Sequence, residues 1–373
     1  MQKDELQSKT ISFLRFPLIV GVVFIHFDLI KCGLLSQGNT YPGWFYFIIN
    51  FFSEVIPQVG VPLFFVFSGY LFFYHTEFNI DTYKRKLLSR TKTLLIPYFL
   101  WNIIAVLVLF FYKIPFLETV FPDAAKMEIQ YTPIRILNLF FDRNNCIFIR
   151  QTTTINNPYP INIPMWYIRE LFVMVLLSPV IFQLIKKMKW WFVILLGAVW
   201  GFFGQFFIPD GSYFSSFCKA AFFFSWGAYY SIENRNFVED MQKERYLPIL
   251  YLPLAIFDAL TKNVGFNAYI HNATVIVGII TFVSVAAKLL EDEKVKVNEQ
   301  LTKCCFFVYA LHNLIIVSLG KTMISLLNIS GNIYAMLLLY FVVPVITILL
   351  CIAIYMLLKR FFPALCGILT GGR

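Results

Sequence analysis

Ser12–Leu29, SFLRFPLIVGVVFIHFDL, decides the fold. The run is apolar and long enough to enter a bilayer, yet it carries an arginine near one end and a histidine near the other. At about 100° per residue, the eleven steps from Arg15 to His26 make three turns plus roughly 20°. Both side chains therefore point to nearly the same side of a helix, about 16 Å apart along its axis. A guanidinium and an imidazole are costly inside lipid, so such a pair is expected to face a protein or water-filled interior and to mark function. Taken singly, Arg15 also suits snorkelling to the headgroups, and His26 suits a hydrogen-bonded packing role.

Composition extends this reading to the whole chain. Of 373 residues, 59% are hydrophobic and only 14% charged, with a mean hydropathy of +0.70. A soluble protein of this size cannot hide so much apolar surface, so the fold class is all-α, a polytopic membrane helix bundle. The net charge of +10 fits cytoplasmic loops rich in Lys and Arg and does not call for nucleic acid. The cysteines (32, 146, 218, 304, 305, 351 and 366) form no CxxC pair, and the histidines (26, 75, 271 and 312) form no HxxxH. Neither a disulfide framework nor a metal site is expected. The first run contains His26 and Asp28 and lacks a small-x-small site, so it is not a cleaved signal peptide.

Ten apolar segments have about the length a bilayer needs: 12–31, 59–75, 93–112, 165–185, 190–207, 214–231, 246–261, 269–288, 304–320 and 334–358. The connections alternate in charge. Most of the 31 basic residues fall on the side of the N-terminus, the 76–92 loop, Lys186–Lys189, Arg235–Arg245, Lys288–Lys303 and the C-terminal tail. The other side receives Lys31, Lys113, Lys126, Arg135, Arg143, Arg150, Lys262 and Lys321. An even number of spans with this bias puts both termini in the cytoplasm. Residues 1–373 read as one membrane domain, with a long extracytoplasmic loop at 113–163 and no appended soluble domain.

Three stretches depart from plain spans. Before the second segment, Trp44–Phe52 is apolar, and Pro57, Gly60 and Pro62 then interrupt it. This suits either an interfacial half-helix followed by a broken span or an ordinary proline kink. In the 113–163 loop, Pro133–Phe141 suits an amphipathic helix on the membrane surface, and the turn-rich 152–160 suits a cover over an outward-facing site. The 76–92 loop, TEFNIDTYKRKLLSRTK, is densely basic. It could hold an anionic ligand through phosphate contacts or simply serve inside retention and lipid binding. No phosphate loop, GxSxG elbow or HExxH is present.

Polar residues inside other segments are the remaining candidates. Trp166 and Tyr167 suit the headgroup belt, while Arg169 and Glu170 diverge by about 100°. Tyr309 and His312 share a helix face. Gly69, in Ser68-Gly69-Tyr70, allows close approach of a ligand or, more simply, of another helix. Asp28 points roughly 200° from His26 and orients it only if the helix ends between them. Asp258 and Lys219 have no evident partner.

Several of these pieces together resemble the acyltransferase 3 family of integral membrane acyltransferases, whose members commonly O-acetylate bacterial surface polysaccharides. They are Arg15-x10-His26; Val61-Pro-Leu-Phe-Phe-Val-Phe-Ser-Gly-Tyr70; the basic loop running into Leu94-Leu-Ile-Pro-Tyr98; Pro164-Met-Trp-Tyr167; and Tyr309-x2-His312. The chain departs from the common Arg-x2-Arg pair: Arg85 and Arg90 are five apart, and Pro17 follows Arg15 closely. The resemblance implies an O-acyltransferase that moves an acetyl or similar group from cytoplasmic acyl-CoA, a co-substrate and not a bound cofactor, to a saccharide or lipid-linked glycan. It implies His26 and Arg15 as catalytic residues. Arg15, Lys84, Arg85, Lys86 and Arg90 would bind the donor, and Ser68, Tyr70, Trp166, Arg169, Glu170 and His312 the acceptor. His26 would act as a general base or carry the acyl group. The expected setting is the cell membrane, among lipids, with self-association open. The competing class is a transporter or flippase of a lipid-linked sugar.

Overall fold

The structure, a computed structural model, describes residues 3–35, 41–120, 127–129, 132–142, 147–149, 153–154, 159–203 and 212–372. Ten helices match the ten segments: α1 Lys3–Ile25, α2 Gly43–Phe73, α3 Ile80–Phe111, α4 Ile163–Met188, α5 Trp190–Phe202, α6 Tyr213–Ile232, α7 Leu247–Leu260, α8 Asn267–Glu291, α9 Glu299–Leu327 and α10 Ile333–Phe361. Seven of them are long and apolar enough to cross a membrane, and α5 and α7 are shorter apolar helices. The protein is a polytopic helical membrane protein. Strands also occur in the loop between α3 and α4. There β1 (Met127–Ile129), β2 (Ile147–Ile149) and β3 (Thr153–Thr154) form a small antiparallel sheet in the order β1-β2-β3.

Two compact units make up the chain. The first holds Met1–Ile25, Gly43–Ser89 and Glu170–Cys305. α1 runs unbroken through Pro17, whose missing N–H removes one bond to Phe13 but does not end the helix. It stops at Ile25, so the span expected to reach residue 31 is shorter, and His26 lies in the turn that follows. α2 is continuous from Gly43 to Phe73, which settles the interruption at 57–62 in favour of a distorted single helix. A π-turn over Asn50–Val55 and a tight 3-10 turn over Ile56–Val59 absorb the prolines. Gly21 leaves room for Pro57, and a Cβ on Gly60 would sit 3.4 Å from the Leu18 carbonyl, so α1 and α2 pack closely at the distortion.

The tightest crossing joins α2 and α6. A Cβ on Gly69 would overlap the Phe224 carbonyl, and a Cβ on Gly227 would overlap the Val66 carbonyl. Each glycine thus receives the other helix's backbone, the small-residue packing that membrane helices use where lipid supplies no hydrophobic drive. Tyr70, one step on, is buried. Its hydroxyl accepts a 2.5 Å hydrogen bond from Gln7 Nε2, and Gln7 Oε1 accepts from the Phe237 N–H at 3.0 Å. That bond fastens the start of α1 to α2 and to the short helix Phe237–Gln242.

The second unit holds His26–Pro42, Arg90–Arg169 and Phe306–Arg373. Leu139 and Ile161 from the α3–α4 loop pack on Ala105 of α3, with Leu314 of α9 against them. The expected amphipathic stretch forms a helix over Pro133–Asn138 with Ile134 and Leu137 exposed. Of the turn-rich 152–160, residues 152 and 155–158 lie outside the described residues.

Gly69→Ala is expected to destabilise the protein by about 3 kcal/mol, because backbone on both sides blocks relief of the overlap. Thermal unfolding in detergent checks this, with Gly201→Ala, where a Cβ meets open space, as the neutral control.

Candidate active site

His26 is held by the residues around it in the turn. Phe27 is fully buried; it stacks on Tyr340 of α10 at 6.4 Å and fills the space left by Gly320 of α9, where a Cβ would overlap its ring. The helix ends just before His26, so the helical angle to Asp28 no longer applies, but the Asp28 carboxylate caps backbone, accepting from the N–H groups of Ile30 at 2.8 Å and Lys31 at 3.0 Å. Cys32 Sγ donates to the His26 carbonyl at 3.6 Å. Burial, with help from Asp28, pushes the Cys32 thiol up to about 12, so it stays protonated and is no rival nucleophile near neutral pH.

The second unit brings His312 to His26: their ring centroids are 5.2 Å apart, tilted by 55°. His312 is fully buried. Its Nδ1 lies 3.0 Å from the Val308 carbonyl, which requires the proton on Nδ1 and leaves Nε2 as an acceptor. Nε2 is buried and has no hydrogen-bond partner among the described residues. Asn162 Oδ1 is a second buried acceptor without one among them. Asn162 is fixed by donating through Nδ2 to the Ala310 carbonyl at 2.9 Å and through its N–H to Asn102 Oδ1 at 3.1 Å. Orphaned buried acceptors are uncommon and point to a missing donor. Tyr309, one turn below His312, donates to the Pro164 carbonyl and packs edge-on against Tyr167 at 6.1 Å. These bonds hold the Pro164-Met-Trp-Tyr turn against α9. Trp166 packs near Tyr159 at 6.2 Å, and Arg169 Nη1 donates to the Phe141 carbonyl at 2.7 Å. Arg90, half-buried, lies within electrostatic range of Tyr167.

The remaining sequence candidates are in the first unit. Arg15 is half-buried on α1, close enough to Cys305 to interact electrostatically, and makes no ion pair among the described residues. Lys84 and Arg85 are exposed on the first part of α3. Lys86 is engaged: it donates to the Phe72 carbonyl and, at 2.8 Å, to Thr76 Oγ1, with its ammonium 5.0 Å from the Phe72 ring. It therefore caps the end of α2. Ser68 is half-buried beside the glycine crossing, Tyr70 is committed to Gln7, and Glu170 is buried.

Sequence reasoning missed Asn102 and Asn162, whose spacing carries no motif. It also left Asp258 without a partner, and the structure supplies three. The fully buried carboxylate meets Lys262 Nζ at 2.8 Å, His271 Nδ1 at 2.9 Å and Asn267 Nδ2 at 2.9 Å. Lys219 lies within electrostatic range of the same His271. The i, i+4 step from Asp258 to Lys262 was a readable signal; the return from α8 was not. Asp258→Ala should cost roughly 3–5 kcal/mol by stranding Lys262, read as a fall in thermal stability. Asp258→Asn, which keeps an acceptor, should fall less.

Known proteins give this arrangement a family. A curated relative, the succinoglycan biosynthesis protein ExoH of Rhizobium meliloti (strain 1021), is 26% identical over 382 residues, covering 99% of this chain and 94% of that protein. No solved structure matches. The acyltransferase 3 family, described as an acyltransferase domain, matches residues 9–356, so the chain belongs to that family and is a membrane acyltransferase.

Proposed function

We propose that the enzyme transfers an acetyl or similar acyl group from cytoplasmic acyl-CoA to a hydroxyl of a surface or lipid-linked saccharide, in the cell membrane. The observation that carries this reading is the histidine pair. His26 is held on a fixed turn 5.2 Å from a His312 whose Nε2 can only accept. An incoming hydroxyl is the kind of donor such a site lacks. The relative's name, succinoglycan biosynthesis, supports a saccharide as the source of that hydroxyl. Membership of an acyltransferase family favours this over sugar transport.

In the proposed reaction, His26 takes the acceptor's proton as its oxygen attacks the thioester carbonyl. The new ester bond forms as the carbon–sulfur bond breaks, and the departing thiolate of CoA recovers the proton. Imidazole suits this task near neutral pH. Trp166, Arg169 and His312 would contact the saccharide, together with Glu170, Ser68 and Tyr70. Arg15 would hold donor phosphate, since a half-buried guanidinium with no ion pair gains most from an arriving anion. Lys84, Arg85 and Arg90 would add attraction, while Lys86 would contribute only by leaving its helix-capping bonds.

Labelled acetyl-CoA incubated with membranes tests the roles. His26→Ala should lower transfer by about 10²–10⁴-fold; a folded variant that transfers normally removes the mechanism. Arg15→Ala should raise the donor KM by about tenfold, the worth of one charged hydrogen bond, with the acceptor KM unchanged.

A further inference from the structure

A cavity of about 890 Å³ opens in the first unit beside the N-terminal half of α1. Its size falls within the range of about 300–1,000 Å³ typical of small-molecule sites. One wall is α1, through Ser8, Lys9 and Ser12; the other is the connection from α8 to α9, with Lys296, and the first turn of α9, with Glu299 and Lys303. Thr302 joins the walls, its hydroxyl 3.4 Å from the Ser12 carbonyl.

The α1 wall leads to Arg15. Ser8, Ser12 and Arg15 stand at i, i+4 and i+7, one face of the helix. On the facing helix, Thr302 lines the cavity, and Cys305, one turn further on, is the residue Arg15 reaches electrostatically. A single strip thus runs from an open, lysine-bearing mouth to a half-buried guanidinium with no ion pair among the described residues. Lys296 has no ion pair among them either. Lys303 and Lys9 hold only exposed partners one turn away on their own helices, Glu299 at 3.1 Å and Glu5 at 2.7 Å. Such pairs are weak and give way readily to phosphate. Glu291 and Glu293 also line the mouth and offer acceptors for amino and hydroxyl groups. A ligand with phosphates, ribose hydroxyls and an amino-bearing base matches this mixture better than a simple anion does.

We infer that this cavity receives the phosphorylated nucleotide end of the acyl-CoA donor, with Lys296 and Lys303 on its phosphates, the Ser8 and Ser12 hydroxyls along its path, and Arg15 at the inner end. The inference rests on the acyl-CoA reading above and shifts donor recognition from the 84–90 loop to the α8–α9 connection.

Thermal stabilisation of the purified full chain by coenzyme A tests it, with pantetheine as the probe that lacks the nucleotide. Coenzyme A should stabilise the wild type. K296Q/K303Q should weaken that binding by about tenfold or more, the loss of at least one charged contact, and leave the unliganded transition and the pantetheine response unchanged. If K296Q/K303Q binds coenzyme A like the wild type, or only K84Q/R85Q weakens it, the site is wrong and the acyl-CoA reading stands. If coenzyme A does not stabilise the wild type at all, the acyl-CoA reading falls and this site falls with it.

Discussion

The end of a helix leaves carbonyls that need donors, and α1 ends at Ile25, one residue before His26. Where such an end is packed away from water, other parts of the protein must meet those carbonyls. In the first unit Ser53, within the π-turn of α2, donates to the Phe24 carbonyl at 3.0 Å. In the second, Asp28 and Cys32 bond the turn beyond. The distorted middle of α2 thus has a reason: it brings a hydroxyl to the end of α1. The helix stops one residue before His26, so the histidine belongs to the anchored turn and escapes the regular helical face.

Much of this was legible because the relevant signals are local. Ten apolar segments gave ten helices, and Ser68-Gly69-Tyr70 gave a helix crossing, because hydropathy and small residues act over a few positions. The exact end of α1 was not legible. Nothing in Phe24-Ile-His-Phe ends a helix by propensity; the stop depends on Ser53 and on Phe27 finding Gly320. Lys86 looked like one more cation in a basic loop, and only the fold shows it capping α2. Asn102 and Asn162 are ordinary asparagines until distant segments make them partners. Pro17 follows Arg15 closely, yet the helix passes through it, since packing along α1 outweighs one missing hydrogen bond.

The candidate residues do not divide cleanly between the units. The first carries Arg15, Lys84 and Arg85 and the cavity lined by Lys9, Lys296 and Lys303, but also Ser68, Tyr70 and Glu170. The second carries His26, His312, Asn162, Trp166 and Arg169, and also Arg90. Phosphate demands strong positive charge, whereas a base that must take a proton works against nearby cations.

The histidine pair carries the same logic to atomic scale. Two imidazolium ions 5.2 Å apart would repel by about 3 kcal/mol even at an effective dielectric of about 20, so the pair holds one excess proton at most. The Val308 carbonyl fixes a proton on His312 Nδ1, and His26 is the half-exposed member of the pair. In the proposed reaction His26 would move the proton, and His312 would orient the hydroxyl through the lone pair on Nε2 that its bond to the Val308 carbonyl leaves available.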